Sequence, residues 1–99
     1  MRRNEALELL KALLPELRER FGVQELYLFG STGRDEAKRD SDVDVLVAFR
    51  PEVRVTLFRL ADLQRHLETA FGCKVDLVLK RALRPELEHH ILKEAVRAA

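Results

Sequence analysis

Tryptophan is absent from the 99 residues, and tyrosine, methionine and cysteine occur once each. The single cysteine, Cys73, excludes an internal disulfide and a multi-cysteine zinc site, and it reads as a small buried side chain. No apolar run approaches the ~20 residues of a membrane span. The opening MRRNEALELLKALL carries acidic residues through its apolar stretch and has no small-residue cleavage site, so it is not read as a secretory signal. The chain is therefore expected to be cytoplasmic, with no membrane partner. Charge of one sign is lacking too: 18 basic and 17 acidic residues leave +1, which disfavours a strongly basic nucleic-acid binder. With 4 glycines and 3 prolines there is no flexible linker or low-complexity segment. What remains is a globular composition, 46% hydrophobic and 35% charged. Residues 1–99 are expected to form a single domain.

Leu7, Leu10, Leu14 and Leu17 recur at helical spacing between Asn4 and Arg20. Pro15 falls inside that helix and is expected to kink or restart it, and Gly22 is placed to cap it. Gln24–Phe29 reads as a strand, Gly30–Gly33 as a turn, and Arg34–Lys38 as little more than one helical turn. Asp42–Phe49 gives the strongest strand signal, with β-branched residues alternating against carboxylates. Leu57, Leu60, Leu63, Leu67 and Ala70 form one helical stripe across Val55–Phe71, and Gly72 ends it. Lys74–Leu79 reads as a third strand. Pro85 opens a last helix whose apolar side is Leu87, Ile91, Leu92 and Ala95. The order α-β-(turn)-β-α-β-α predicts an α/β (α+β) domain with a small mixed sheet of three to four strands, flanked by helices. The short link between the first two strands suits antiparallel neighbours.

Aspartate is depleted in strands, yet three aspartates fall on strand signals here. Asp42 and Asp44 are two apart and project from one face, and Asp76 lies within KVDLVL with Val75 and Leu77 opposite. If the second and third strands are neighbours, these carboxylates meet. Two carboxylates ~5 Å apart repel by roughly 3 kcal/mol at an effective dielectric of 20, so such a cluster takes up protons or holds a cation. Oxygen ligands select hard ions such as Mg²⁺, which commonly joins carboxylates to substrate phosphates. The alternative is that Asp42 caps a turn while Asp44 and Asp76 face solvent. Gly30 and Ser31 follow an apolar strand and precede a helical turn, where backbone N–H groups and a hydroxyl can receive phosphate. His89 and His90 are adjacent, point ~100° apart on a helix, and read with His66 as surface residues. Tyr27 reads as a core-edge aromatic or a self-modification acceptor.

The segment FGSTGRDEAKRDSDVDVLVAF resembles the signature of the DNA polymerase beta nucleotidyltransferase superfamily: Gly-Ser, ten residues, then Asp-x-Asp. Arg34, Glu36, Ala37 and Ser41 fall where bacterial and archaeal minimal nucleotidyltransferases read GSxARGEAxxxSDxDLLV. FGCKVDLV is similar to that family's LGxKVDLV strand, which carries the third carboxylate, Asp76. Gly33, Asp35 and Arg39 depart from the pattern, all within the loop. The resemblance implies a nucleotidyltransferase fold in which Asp42, Asp44 and Asp76 bind two Mg²⁺ ions and are catalytic, with Asp76 as general base. Gly30 and Ser31 would hold the β- and γ-phosphates of ATP, with Ser41 and Arg34 completing the nucleotide site, unless Arg34 instead forms a surface ion pair with Asp35 or Glu36.

The minimal family is typically encoded beside a HEPN-domain protein as a toxin–antitoxin pair. The resemblance thus implies an enzyme that transfers AMP from ATP to a tyrosine hydroxyl of a HEPN toxin, silencing it. No acceptor-binding appendage is expected on so short a chain, so recognition falls to its own surface, within a hetero-oligomer or a homodimer. Two other readings stay open: an antitoxin that neutralises its partner by binding alone, and nucleotidyl transfer to a small molecule.

Overall fold

The computed structural model describes residues 3–29 and 43–98. Its elements are α1 (Arg3–Phe21), β1 (Val23–Phe29), β2 (Val43–Phe49), α2 (Leu57–Phe71), β3 (Val75–Leu79), a 3₁₀ turn (Lys80–Ala82), α3 (Pro85–Glu94) and β4 (Val96–Arg97). The Gly30–Gly33 turn and the Arg34–Lys38 helical turn expected from the sequence lie outside the described residues.

The four strands form one mixed sheet in the order β3-β2-β1-β4. Antiparallel pairing joins β1 to both β2 and β4, and parallel pairing joins β2 to β3 through the α2 crossover. A register shift between Val23 and Glu25 lets Val23 and Leu26, three residues apart, both enter the core. That bulge extends β1 one residue before the expected start at Gln24. β4 has no counterpart in the sequence reading, which carried the last helix through Ala95. The helix instead ends at Glu94, and the extended residues after Ala95 add to β1, with the Ala98 N–H donating to the Leu26 carbonyl at 2.8 Å.

One face of the sheet is apolar and carries α1 and α2. Val23, Leu26 and Leu28 of β1, Val43, Val45 and Val47 of β2, and Val75 of β3 pack there. They meet Ala6, Leu10, Leu14, Leu17 and Phe21 of α1 and Leu63, Leu67 and Phe71 of α2. α1 runs through Pro15 as a single helix and does not restart. Proline removes one hydrogen bond, to the Lys11 carbonyl, but Lys11 is exposed, so water can satisfy that oxygen. Burial of the leucine stripe on the opposite side then holds both halves in line.

On α2 the Thr56 hydroxyl caps the helix by accepting from the Arg59 N–H at 3.1 Å, so the helix begins at Leu57 and not at Val55. Two members of the expected stripe are exposed. Phe71 closes it in place of Ala70, and Leu57, a turn ahead of the part that meets the core, is 83% exposed. On α3, Leu87 is likewise exposed while Ile91 and Leu92 are half-buried.

Candidate active site

The strand alternation that buries Val43, Val45 and Val47 turns Asp44 and Leu46 to the opposite face of the sheet. On β3, Val75 is buried and Asp76 exposed by the same rule. The parallel register then sets Asp44 directly against Asp76, as it sets Val43 against Val75. Two aspartates thus share one face and one level on strands ~4.8 Å apart. Asp44 is half-buried and Asp76 exposed, so the pair sits at a rim that solutes can reach. Phe29 lies across from Asp44 on the other side, giving the level an apolar wall.

Backbone ties fix this level. The Val43 N–H donates to the Lys74 carbonyl at 3.0 Å, joining the starts of the two aspartate strands. The Val75 N–H donates to Glu68 Oε2 at 3.1 Å, and Glu68 belongs to the last turn of α2, whose backbone carbonyl also receives the Gly72 N–H at 2.8 Å. One residue therefore ends the helix and aligns the strand that carries Asp76.

Of the residues singled out from the sequence, the structure brings Asp44 and Asp76 together. Gly30, Ser31, Arg34, Ser41 and Asp42 lie outside the described residues. Among the described residues no group of three His, Cys, Asp or Glu side chains could hold a metal ion. Asp44 and Asp76 form a two-carboxylate donor set of hard oxygens, which fits Mg²⁺ completed by a third carboxylate, substrate phosphate or water.

A second polar cluster lies on the same face further along the strands, with Tyr27 about 7 Å and Glu25 about 13 Å from the aspartate level. Tyr27 Oη donates to Glu25 Oε1 at 2.7 Å, Lys80 Nζ lies 3.3 Å from Glu25 Oε2, and an Arg97 guanidinium nitrogen lies 3.6 Å from Oε1. Lys80 and Arg97 also stand over the Tyr27 ring, 5.5 and 5.9 Å from its centroid. Ala48 is the register partner of Glu25, and its small side chain lets Glu25 and Lys80 meet across β2. The tyrosine hydroxyl above all, then the two cations, hold the Glu25 carboxyl below its usual 4.5. Burial, then the bond to Glu25, pushes the Tyr27 phenol up. Burial is the largest influence on Lys80 and opposes its charge, but the hydrogen bond to Glu25 and the further attractions of Tyr27 and Glu25 together outweigh it, and the ammonium is pushed above its usual 10.5. Beside this cluster Ala48, Leu79, Lys80, Arg81 and Glu88 line a hollow of about 230 Å³. Sequence reasoning reads Tyr27 as a core-edge aromatic or a self-modification acceptor and does not identify its partners. Glu25 two residues before it, and Lys80 at an even offset from Asp76, were the available signals.

Comparison with known proteins gives four findings. A model of the nucleotidyltransferase domain family matches residues 10–98. The chain is 47% identical to the protein adenylyltransferase MntA of Thermococcus cleftensis over 88 residues, 89% of this chain and 87% of that protein. In fold, it superposes with a TM-score of 0.79 on a solved structure provisionally described as a minimal nucleotidyltransferase, at 38% identity, covering 97% of this chain and 95% of that one. A more distant likeness, of fold alone, is to a solved complex of tri-AMPylated HEPN toxin with MNT antitoxin from Shewanella oneidensis. There the TM-score is 0.66 at 21% identity, covering 94% of this chain and 71% of that one.

Proposed function

The chain belongs to the nucleotidyltransferase domain family and is a nucleotidyltransferase, and from that premise we propose that it transfers AMP from ATP to a tyrosine hydroxyl of a HEPN-domain toxin encoded nearby, acting as its antitoxin. The observation that carries this reading is the matched register of Asp44 and Asp76 on adjacent parallel strands, in a chain 47% identical to a named protein adenylyltransferase. The HEPN partner is supported by the complex whose antitoxin shares the fold.

In the proposed reaction the acceptor oxygen attacks the α-phosphorus, a new O–P bond forms, and the bond to the β-phosphate breaks to release pyrophosphate. Asp42, Asp44 and Asp76 would hold two Mg²⁺ ions, which supply charge neutralisation at the transferred and leaving phosphates. Asp76 is exposed at the rim, where its carboxylate can take the proton from the incoming hydroxyl. Asp44, half-buried on an interior strand, would hold its share of the metal site at a fixed place relative to that base. Gly30 and Ser31 would receive the β- and γ-phosphates, with Arg34 and Ser41 beside them.

Labelled ATP tests this directly. Label in the α-phosphate should pass to the partner while label in the γ-phosphate should leave with pyrophosphate. Asp44→Asn and Asp76→Asn should each lower the rate by roughly 1,000-fold or more, the scale of a lost charge-stabilising group. Retention of γ-label on the partner, or transfer unaffected by either change, would exclude the proposal.

A further inference from the structure

Tyr27 is the single tyrosine of the chain, and a tyrosine hydroxyl is the acceptor in the reaction proposed for the Asp44–Asp76 level. β1 sets Phe29 across from Asp44 and Tyr27 across from Leu46. Strand alternation therefore puts Tyr27 on the aspartate face, as the diagonal neighbour of Asp44. Such neighbours stand about 7–8 Å apart at the backbone, within reach of an aromatic side chain. The side chain is half-buried, so solutes can approach it. Its hydroxyl also has a proton acceptor in place. Tyr27 Oη donates to Glu25 Oε1 at 2.7 Å, and that carboxyl, held below 4.5, is ionised at neutral pH. Lys80 and Arg97 both pair with Glu25 and both stand over the Tyr27 ring. Two cations against one carboxylate leave the cluster one positive charge over. A phosphodiester on the phenol carries one negative charge to that place, where ammonium and guanidinium groups bind phosphate oxygens well.

We infer that Tyr27 is a self-modification site, which takes AMP from ATP bound at the Asp44–Asp76 level of the same chain. Tyr27 Oη attacks the α-phosphorus and forms the new O–P bond. The bond from that phosphorus to the oxygen it shares with the β-phosphate breaks, pyrophosphate leaves, and the phenol proton passes to Glu25. Acceptor and nucleotide are held on one sheet, so the step is unimolecular and needs no second copy. The inference rests on the AMP-transfer reading of the aspartate level and is independent of the HEPN partner.

The test incubates the full chain alone with Mg²⁺ and ATP labelled in the α-phosphate, and places the label by mass spectrometry of its peptides. One AMP per chain is expected, on Tyr27, with a rate constant unchanged over about a tenfold range of chain concentration. Tyr27→Phe should carry no label, and Glu25→Gln should acquire it roughly 100-fold more slowly. Cooperative thermal unfolding checks that each variant is folded. Asp44→Asn/Asp76→Asn mixed with wild type should stay unlabelled; label on that inactive chain would make the transfer intermolecular and overturn the inference. Label that persists in Tyr27→Phe lies on another residue and overturns it as well. If the chain modifies the HEPN protein but never itself, Tyr27 serves only to hold Glu25, and the inference falls while the functional reading stands. If neither protein is modified, the AMP-transfer reading fails and takes the inference with it. Label on the chain but not on the HEPN protein would support the inference and overturn the acceptor named in the functional reading.

Discussion

At the scale of single residues, Tyr27 and Glu25 make the clearest electrostatic statement. Because the fold holds the Glu25 carboxyl below 4.5, its contribution to stability is whole above that pH and is lost as pH falls through the lowered value. Tyr27→Phe removes the largest cause of that lowering. It should cost about 1 kcal/mol at pH 7, and the difference from wild type should shrink as the solution is acidified to the point where Glu25 protonates in both proteins. Urea unfolding at neutral and acid pH measures this. A loss that stays constant with pH would mean that the hydroxyl acts through packing and not through the carboxylate. Asp44 and Asp76 were legible as a pair because strand alternation alone puts each opposite a buried valine. The cluster around Tyr27 was not, because Lys80 and Arg97 reach Glu25 from two other strand ends, and no periodicity marks the second of them as a strand.

At the scale of elements, the two described helix-ending glycines separate backbone strain from crowding. Gly22 and Gly72 both adopt positive φ, +77° and +69°. A Cβ on Gly22 would run into the Val53 side chain, whereas one on Gly72 would meet open space. Gly72→Ala should therefore cost about 1 kcal/mol, the left-handed penalty alone, and Gly22→Ala clearly more; equal losses in thermal unfolding would contradict the assignment. The same elements show what periodicity can and cannot convey. The three main strands, the helices between them and the mixed sheet were readable because apolar spacing differs sharply between strand and helix. β4 was not, since two residues carry no period and Val96 and Arg97 become a strand only by pairing with β1. Leu57 matched the stripe of α2 by spacing, but spacing does not say where the core ends beneath a helix, and Leu57 lies beyond that point.

At the scale of the whole molecule, one face of the sheet is spent on stability and the other carries polar chemistry. The layer of α1 and α2 buries Val23, Leu26 and Leu28 of β1, Val43, Val45 and Val47 of β2 and Val75 of β3, while the opposite face carries the aspartate pair and the Glu25 cluster beside Leu46. Among the described residues no helix is long and apolar enough to cross a membrane. On the reading proposed above, the Asp44–Asp76 level is a centre for AMP transfer onto a protein. Intact-protein mass spectrometry of the HEPN protein, after incubation with this chain, Mg²⁺ and ATP, tests it most directly, with Asp44→Asn/Asp76→Asn run alongside. Mass steps of one AMP are expected on the partner with wild type and none with the double variant. An unmodified partner that is nonetheless bound and inhibited by both proteins would contradict it and leave an antitoxin that acts by binding alone.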